Sequence, residues 1–328
     1  MTATIPSCSG NSDSEATSSP APSWRTSTSI RVRNPSGIAV APDGRRVYVP
    51  NNDGGISVID PHSDSVIAAI PGISSPESLA VSRDGHRCYV VGDDAVSVVN
   101  TDSDRVSASI GVGGRDIALS PDGRRAYVAS MSSSSVDVID TNTNAVTGAV
   151  ELSETPLAVA VAPDGRRVYV ATVRTHGGSI SMIDSANNKV TTTIPVPGDP
   201  QDLAVTPDGK YIYVTYSNKE PKGDGIAVID TSKGAVTTAL STAGSPWGID
   251  ISPDGRYAYA AHLLPSSEVT VIDTATKAIA ATLPIKGSPQ DVAVSPDGRR
   301  VYVSVGRTVY EESGSEAAPS KVQVINVD

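Results

Sequence analysis

Residues 37–70 read GIAVAPDGRRVYVPNNDGGISVIDPHSDSVIAAI, and the order of apolar and turn-forming residues within them decides the fold. Four apolar segments, at 38–40, 47–49, 56–59 and 66–70, are too short for helices and rich in β-branched side chains, so they read as four strands. Pro42-Asp43-Gly44 between the first two is turn chemistry: Pro presets φ, Asp bonds its own backbone and Gly accepts a positive φ. Asp60 ends the third segment ahead of a polar turn, which makes a second hairpin.

The unit recurs along the chain. Asp-Gly steps stand at Asp43, Asp84, Asp122, Asp164, Asp208, Asp254 and Asp297, and each is followed within five residues by Tyr48, Tyr89, Tyr127, Tyr169, Tyr213, Tyr259 or Tyr302. A four-stranded unit repeating every ~40–45 residues is the pattern of a propeller blade. One blade cannot bury both of its faces, whereas seven stacked around a channel cover each other and leave few open edges. The expected fold is all-β: a seven-bladed β-propeller with four antiparallel strands per blade. The seventh copy stops at its third strand, 322–327, and TSTSIRVR at 26–33 resembles VTTTIPVP at 190–197, so segment 26–32 is expected to close the last blade as its outermost strand.

Composition fits this reading. The 328 residues include 28 Gly, 24 Pro and no Phe, so long helices are disfavoured and the core must be built from Val, Ile, Ala and Tyr. A net charge of −10 disfavours nucleic acid as a partner, because phosphate affinity needs an excess of Lys and Arg. No apolar run reaches the ~18–20 residues of a membrane-spanning helix, and residues 1–23 lack the basic and apolar regions of a secretory signal. Cys88 takes a strand position held in other copies by Val47, Ala126, Val168, Ile212, Ala258 and Val301, so it reads as a small core hydrophobe.

The combination of Asp-Gly turn, Tyr-Val, then Ser-Val-Ile-Asp and a Thr-containing turn resembles the YVTN-family β-propeller repeat of bacteria over residues 25–328. The closest agreement is at Tyr213-Val214-Thr215 and at Val269-Thr270-Val271-Ile272-Asp273-Thr274. Residues 1–24, rich in Ser, Thr and Pro, are expected to form a disordered tail. Within them Ile5-Pro6-Ser7-Cys8-Ser9-Gly10 is similar to the start of a mature bacterial lipoprotein, which makes Cys8 a candidate lipid anchor and favours an extracytoplasmic, cell-envelope location; the alternative is a plain leader.

The second-to-third strand loops vary in length, at 92–94, 173–178, 217–225, 262–267 and 306–320, while the Asp-Gly turns do not, so function is placed on the variable face. The blade-to-blade connections converge there at the channel mouth. Glu77, Arg115, Asp116, Gln201, Asp202, Trp247, Gln290 and Asp291 are the expected ligand-binding residues. Asp116, Asp202 and Asp291 depart from the small residues, Gly37 and Gly248, found at the equivalent position, and two readings stay open for them: an acidic mouth, or carboxylates that satisfy backbone N–H groups of adjoining connections. An acidic mouth favours a cationic group, with Trp247 offering it an aromatic face. His176 and His262 fall in the variable loops, but neither has a second ligand at short spacing, so no metal or other cofactor is expected.

Arg45, Arg46, Arg87, Arg124, Arg125, Arg166, Arg167, Lys210, Arg256, Arg299 and Arg300 follow the turn aspartates, where local neutralisation by those aspartates and the nearby third-strand Asp series is expected ahead of an anion-binding surface. No nucleophile elbow, zinc-protease helix, phosphate loop or calcium loop occurs. Two classes of function result. One is a non-catalytic, monomeric propeller that binds a protein or small molecule at the mouth. The other is an enzyme, since relatives of the fold include sugar-lactone hydrolases and antibiotic lyases that use carboxylates and histidines there, sometimes with a divalent metal.

Overall fold

The computed structural model describes residues 22–175, 177–218, 223–263, 265–306 and 319–328. Cys8, the tail up to residue 21, His176 and most of the 306–320 loop lie outside them. Each repeat forms one antiparallel sheet whose strands are hydrogen-bonded in sequence order.

Blade 1 comprises β2 (Ala39–Val40), β3 (Val47–Pro50), β4 (Ile56–Asp60) and β5 (Ser65–Ile70), and blade 2 comprises β6 (Ser78–Val81), β7 (Arg87–Val91), β8 (Val96–Asn100) and β9 (Arg105–Ile110). Blade 3 runs through β10 (Asp116–Leu119), β11 (Arg125–Ser130), β12 (Ser135–Asp140) and β13 (Ala145–Glu151), and blade 4 through β14 (Thr155–Val161), β15 (Arg167–Val173), β16 (Gly178–Asp184) and β17 (Lys189–Val196). Blade 5 holds β18 (Asp199–Val205), β19 (Tyr211–Ser217), β20 (Gly225–Asp230) and β21 (Ala235–Ser241); blade 6 holds β22 (Pro246–Ile251), β23 (Tyr257–His262), β24 (Glu268–Asp273) and β25 (Ala278–Pro284). Blade 7 is built from both ends of the chain: β26 (Ser288–Val294), β27 (Arg300–Gly306), β28 (Lys321–Val327) and, on the outside, β1 (Trp24–Arg31).

The closing strand pairs antiparallel with β28, from Trp24 opposite Val327 to Arg31 opposite Lys321. The strand therefore starts earlier than the sequence suggested, and Trp24, assigned there to the tail, belongs to the propeller. Its indole Nε1 donates to Tyr259 Oη at 3.1 Å and its ring meets Tyr257 edge-on at a centroid distance of 5.1 Å, which anchors blade 7 on blade 6.

Buried apolar side chains fall into seven clusters, and each spans the seam between two adjacent blades. The seven repeat tyrosines are at most 1% exposed and lie one to a seam. Tyr89 and Tyr213 donate at 3.3 Å to the carbonyls of Thr141 and Thr274, each in the next blade, so a buried phenol also ties one sheet to another. Cys88 lies fully buried among Val90, Val99 and Ile56, and burial pushes its thiol up, as suits a packing role.

On the Asp-Gly face the turn aspartate accepts the backbone N–H two residues on, as in Arg45 to Asp43 at 2.9 Å. Where Ser or Thr stands two residues before the aspartate, its hydroxyl donates to the same carboxylate, at 2.6 Å for Ser120 and Asp122. That bond is the largest influence holding Asp84, Asp122, Asp208 and Asp297 below the usual carboxylate range. The paired cations do not share one role. Arg46, Arg87, Arg125, Arg167 and Arg300, each three residues after the turn aspartate, reach across the seam to the third-to-fourth strand turn of the next blade, where they donate to the carbonyls of Thr101, Thr141, Ser185, Thr231 and Pro61. Arg46 and Arg300 are also ion-paired there, with Asp104 and Asp64, so their aspartate partners belong to the next blade.

Candidate functional site

Four of the innermost strands carry a β-bulge at the same place, between Pro156 and Ala158, Pro200 and Asp202, Pro246 and Ile249, and Pro289 and Asp291. Pro cannot donate to the sheet ladder and leaves an extra residue on the strand, which turns a side chain out of register. The bulges carry Leu157, Gln201, Trp247 and Gln290 to the channel mouth. Together with Glu77, Arg115, Asp116, Asp202 and Asp291 they line one cavity of about 570 Å³, so all eight residues selected from sequence meet there. Asn52, Asp93, Met131 and Leu263 of the second-to-third strand loops also line it, which puts the cavity on the variable face.

The three mouth aspartates share one geometry. Asp116 accepts the N–H of Val159 in the next blade at 2.8 Å and the hydroxyl of Ser78 at 2.7 Å. Asp202 accepts its own neighbour Leu203 at 2.7 Å and Ile249 of blade 6 at 2.9 Å. Asp291 accepts Val292 at 2.8 Å and Ile38 of blade 1 at 3.0 Å. Each carboxylate is a clamp across a seam, and of the two readings open from sequence this geometry is that of the backbone-satisfying one. Gly248 is required beside Asp291, since a Cβ there would lie 2.4 Å from Oδ1 and 2.7 Å from the Asp291 Cα.

A fourth clamp escaped the sequence reading. Asp250, deeper in the channel, accepts Ile251 and Val294 of blade 7, both at 2.8 Å. The signal was present: Ala39, Ala80, Ala118, Ala160, Ala204 and Ala293 hold that position in the other six blades, each opposite a repeat tyrosine as Asp250 is opposite Tyr259. Removal from water along the channel wall raises all four carboxyls: Asp250 to about 6, Asp291 to about 7, and Asp116 and Asp202 upward as well, with the Asp291 and Asp116 charges adding to the rise at Asp202.

Arg115 is the one cation among the described residues that line the cavity. Its guanidinium lies over the Trp247 ring at 4.8 Å, so the aromatic face expected to receive a cationic ligand already holds Arg115. Trp247 is kept in place by its carbonyl, which accepts Thr215 Oγ1 at 2.6 Å. Gln201 donates to the Asp199 carbonyl and to Ser217 Oγ, both at 3.0 Å.

His262 is not a solvated loop residue. It ends β23 with no exposed surface, its Nδ1 stands 3.2 Å from the Gly244 carbonyl, and burial lowers its pKa. Among the described residues no group of three His, Cys, Asp or Glu side chains is arranged to hold a metal ion. No helix among them is long and apolar enough to cross a membrane.

The sequence model of the family described as "Lactonase, 7-bladed beta-propeller" matches residues 80–272, more than half of the chain. The chain belongs to this family. Among solved structures, hydrazine synthase of Kuenenia stuttgartiensis is similar to this lactonase-family propeller at 27% identity and a TM-score of 0.77, over 84% of this chain and 94% of that one. No curated protein matches it. The architecture of the lactonase-family propeller recurs in 1831 matching chains of solved structures, so its chemistry has to be argued from the mouth and not from the fold.

Proposed function

We propose that this lactonase-family propeller is a binding protein that holds a ligand in the channel mouth without transforming it. The observation that carries the reading is the engagement of Asp116, Asp202 and Asp291: each has both carboxylate oxygens on backbone N–H or hydroxyl donors that tie adjoining blades, which supports a structural role for them over a catalytic one. The YVTN-type repeat, the cell-envelope location and the monomeric state belong to the same proposal. They are tested by fractionation of the native host and by the mass of the purified protein in solution.

The family match favours a second reading, lactone hydrolysis. Its general base would be Glu77, an exposed cavity carboxylate, and Arg115 would polarise the carbonyl. A panel of sugar and aliphatic lactones decides between the two. The binding reading expects no turnover above the buffer rate. Turnover that falls at least a hundredfold in Glu77→Gln, with an unchanged melting temperature, would establish hydrolysis instead. Asp202→Asn and Asp291→Asn do not separate the readings, because each also places an amide N–H against a backbone N–H and loosens a seam.

A further inference from the structure

Seven large hydrophobic side chains stay exposed among the described residues. Val66, Ile67, Val106, Val146, Val190 and Ile279 stand on the outer strands, where each sheet meets solvent. Met131, 45% exposed, instead lines the cavity. It opens the loop after β11 in blade 3, and the cavity wall also includes Leu263, after β23 in blade 6, and the bulge residues Leu157 and Trp247. Four apolar side chains from three blades thus line the same cavity as one guanidinium.

That guanidinium is arranged to receive an anion. The Arg115 guanidinium carbon lies over the indole of Trp247 at 4.8 Å, a cation–π contact that holds it at the mouth. Its backbone N–H donates to the Ala129 carbonyl at 3.0 Å, whereas its guanidinium N–H groups make no hydrogen bond or ion pair with a described residue. Asp116, its chain neighbour, is turned into the seam toward Val159 and Ser78. A planar fork with open edges matches a carboxylate in two parallel hydrogen bonds. Of the remaining polar groups, the Gln201 amide already bonds Asp199 and Ser217 and the Ser36 hydroxyl bonds the Pro76 carbonyl, while Asn52, Ser132, Gln290 and the carboxylates of Glu77 and Asp93 also line the cavity, which leaves Arg115 as its one positive anchor among the described residues.

We propose that the mouth selects an amphipathic monoanion: a carboxylate, seated on Arg115, that carries an apolar chain or ring lying against Met131, Leu263, Leu157 and Trp247. The assignment rests on the binding reading of the mouth and adds the ligand class and the residues that set it.

The test uses the whole protein, calorimetry, and tryptophan fluorescence as a second reading, since Trp247 is one of two tryptophans and Trp24 is packed on the outside of blade 7. The probes are octanoate, octylammonium, acetate and glucono-lactone. Octanoate is expected to bind at least tenfold more tightly than octylammonium or acetate. Arg115→Gln should remove that preference over octylammonium. Met131→Ser should weaken octanoate several-fold and leave acetate unchanged, with both variants melting within a few degrees of the parent. Equal binding of octanoate and octylammonium, or octanoate binding indifferent to Arg115→Gln, overturns the ligand class. If glucono-lactone shifts Trp247 emission and octanoate does not, the ligand class fails while the mouth stands as a binding site. If no probe is bound, both fall.

Discussion

Asp250 shows how one side chain changes the behaviour of an otherwise repetitive channel. Where six blades place an alanine, blade 6 places a carboxyl that holds two N–H groups and whose charged form is disfavoured by loss of water. Its pKa of about 6, and that of about 7 at Asp291, lie above the ~3.9 of an aspartate in an unfolded chain. Between those values the folded protein binds more protons than the unfolded one, so this part of the stability is complete below about pH 4 and is lost as pH rises through 6 and then 7. The turn aspartates, whose pKa values are lowered, act in the opposite sense and only below about pH 4. Urea unfolding between pH 4.5 and 8 should therefore show stability falling toward neutrality. Asp250→Ala, which restores the residue of the other six blades, should remove the component centred near pH 6 and keep the one near 7. A profile that rises across this window, or is unchanged by Asp250→Ala, would count against the raised pKa values.

At the scale of the element, the hairpins of neighbouring blades are joined by a contact whose chemistry changes around the ring. In blades 1 and 7 an Arg–Asp pair makes it, Arg46 to Asp104 at 2.7 Å and Arg300 to Asp64 at 2.8 Å. Between blades 5 and 6 the same two positions hold Tyr211 and Lys277, with the ammonium 3.9 Å from the ring centroid. The carboxylate has become a cation and the cation a π face, so the attraction survives with its partners exchanged. Tyr211→Arg alone should destabilise by setting two cations together. Adding Lys277→Asp should recover the loss, with a coupling of roughly 0.5–1 kcal/mol in a double-mutant cycle. Simple additivity of the two changes would show that the positions do not meet. The outer strands show a related regularity: each of β5, β9, β13, β17, β21 and β25 carries a bulge opposite the last residues of the third strand. At four of them Ser107, Thr147, Thr191 and Thr237 bond the third-strand carbonyl left free. A bulge twists and blunts an edge, which protects a ring whose rim is all edge strands.

For the whole molecule the decisive feature is the closure of blade 7. Deleting residues 1–33 removes β1 and with it Trp24, Ile30 and Val32 from the seams, and exposes β28 as a new edge. Against deletion of 1–21 alone, the melting temperature should fall by roughly 10 °C, corresponding to several kcal/mol at about 2–4 °C each. Equal melting temperatures for the two truncations would refute the clasp.

The repeat, the number of blades, the hairpin turns and the missing outer strand were all legible in the sequence, because each depends on residue type at a fixed period and each is stated seven times over. The eight mouth residues were legible for the same reason, as occupants of two adjacent repeat positions. Their roles were not. Whether Asp116, Asp202 and Asp291 face a ligand or a backbone N–H depends on how far the next blade is rotated about the channel. That Arg115 meets Trp247 depends on blades 3 and 6 standing on opposite sides of one opening, 132 residues apart in the chain. His262 changed from loop to buried strand because pairing with Glu268 extends the sheet beyond its apolar segment. A repeating sequence specifies contacts within a blade and across one seam. Contacts across the channel have no period, and only the closed ring decides them.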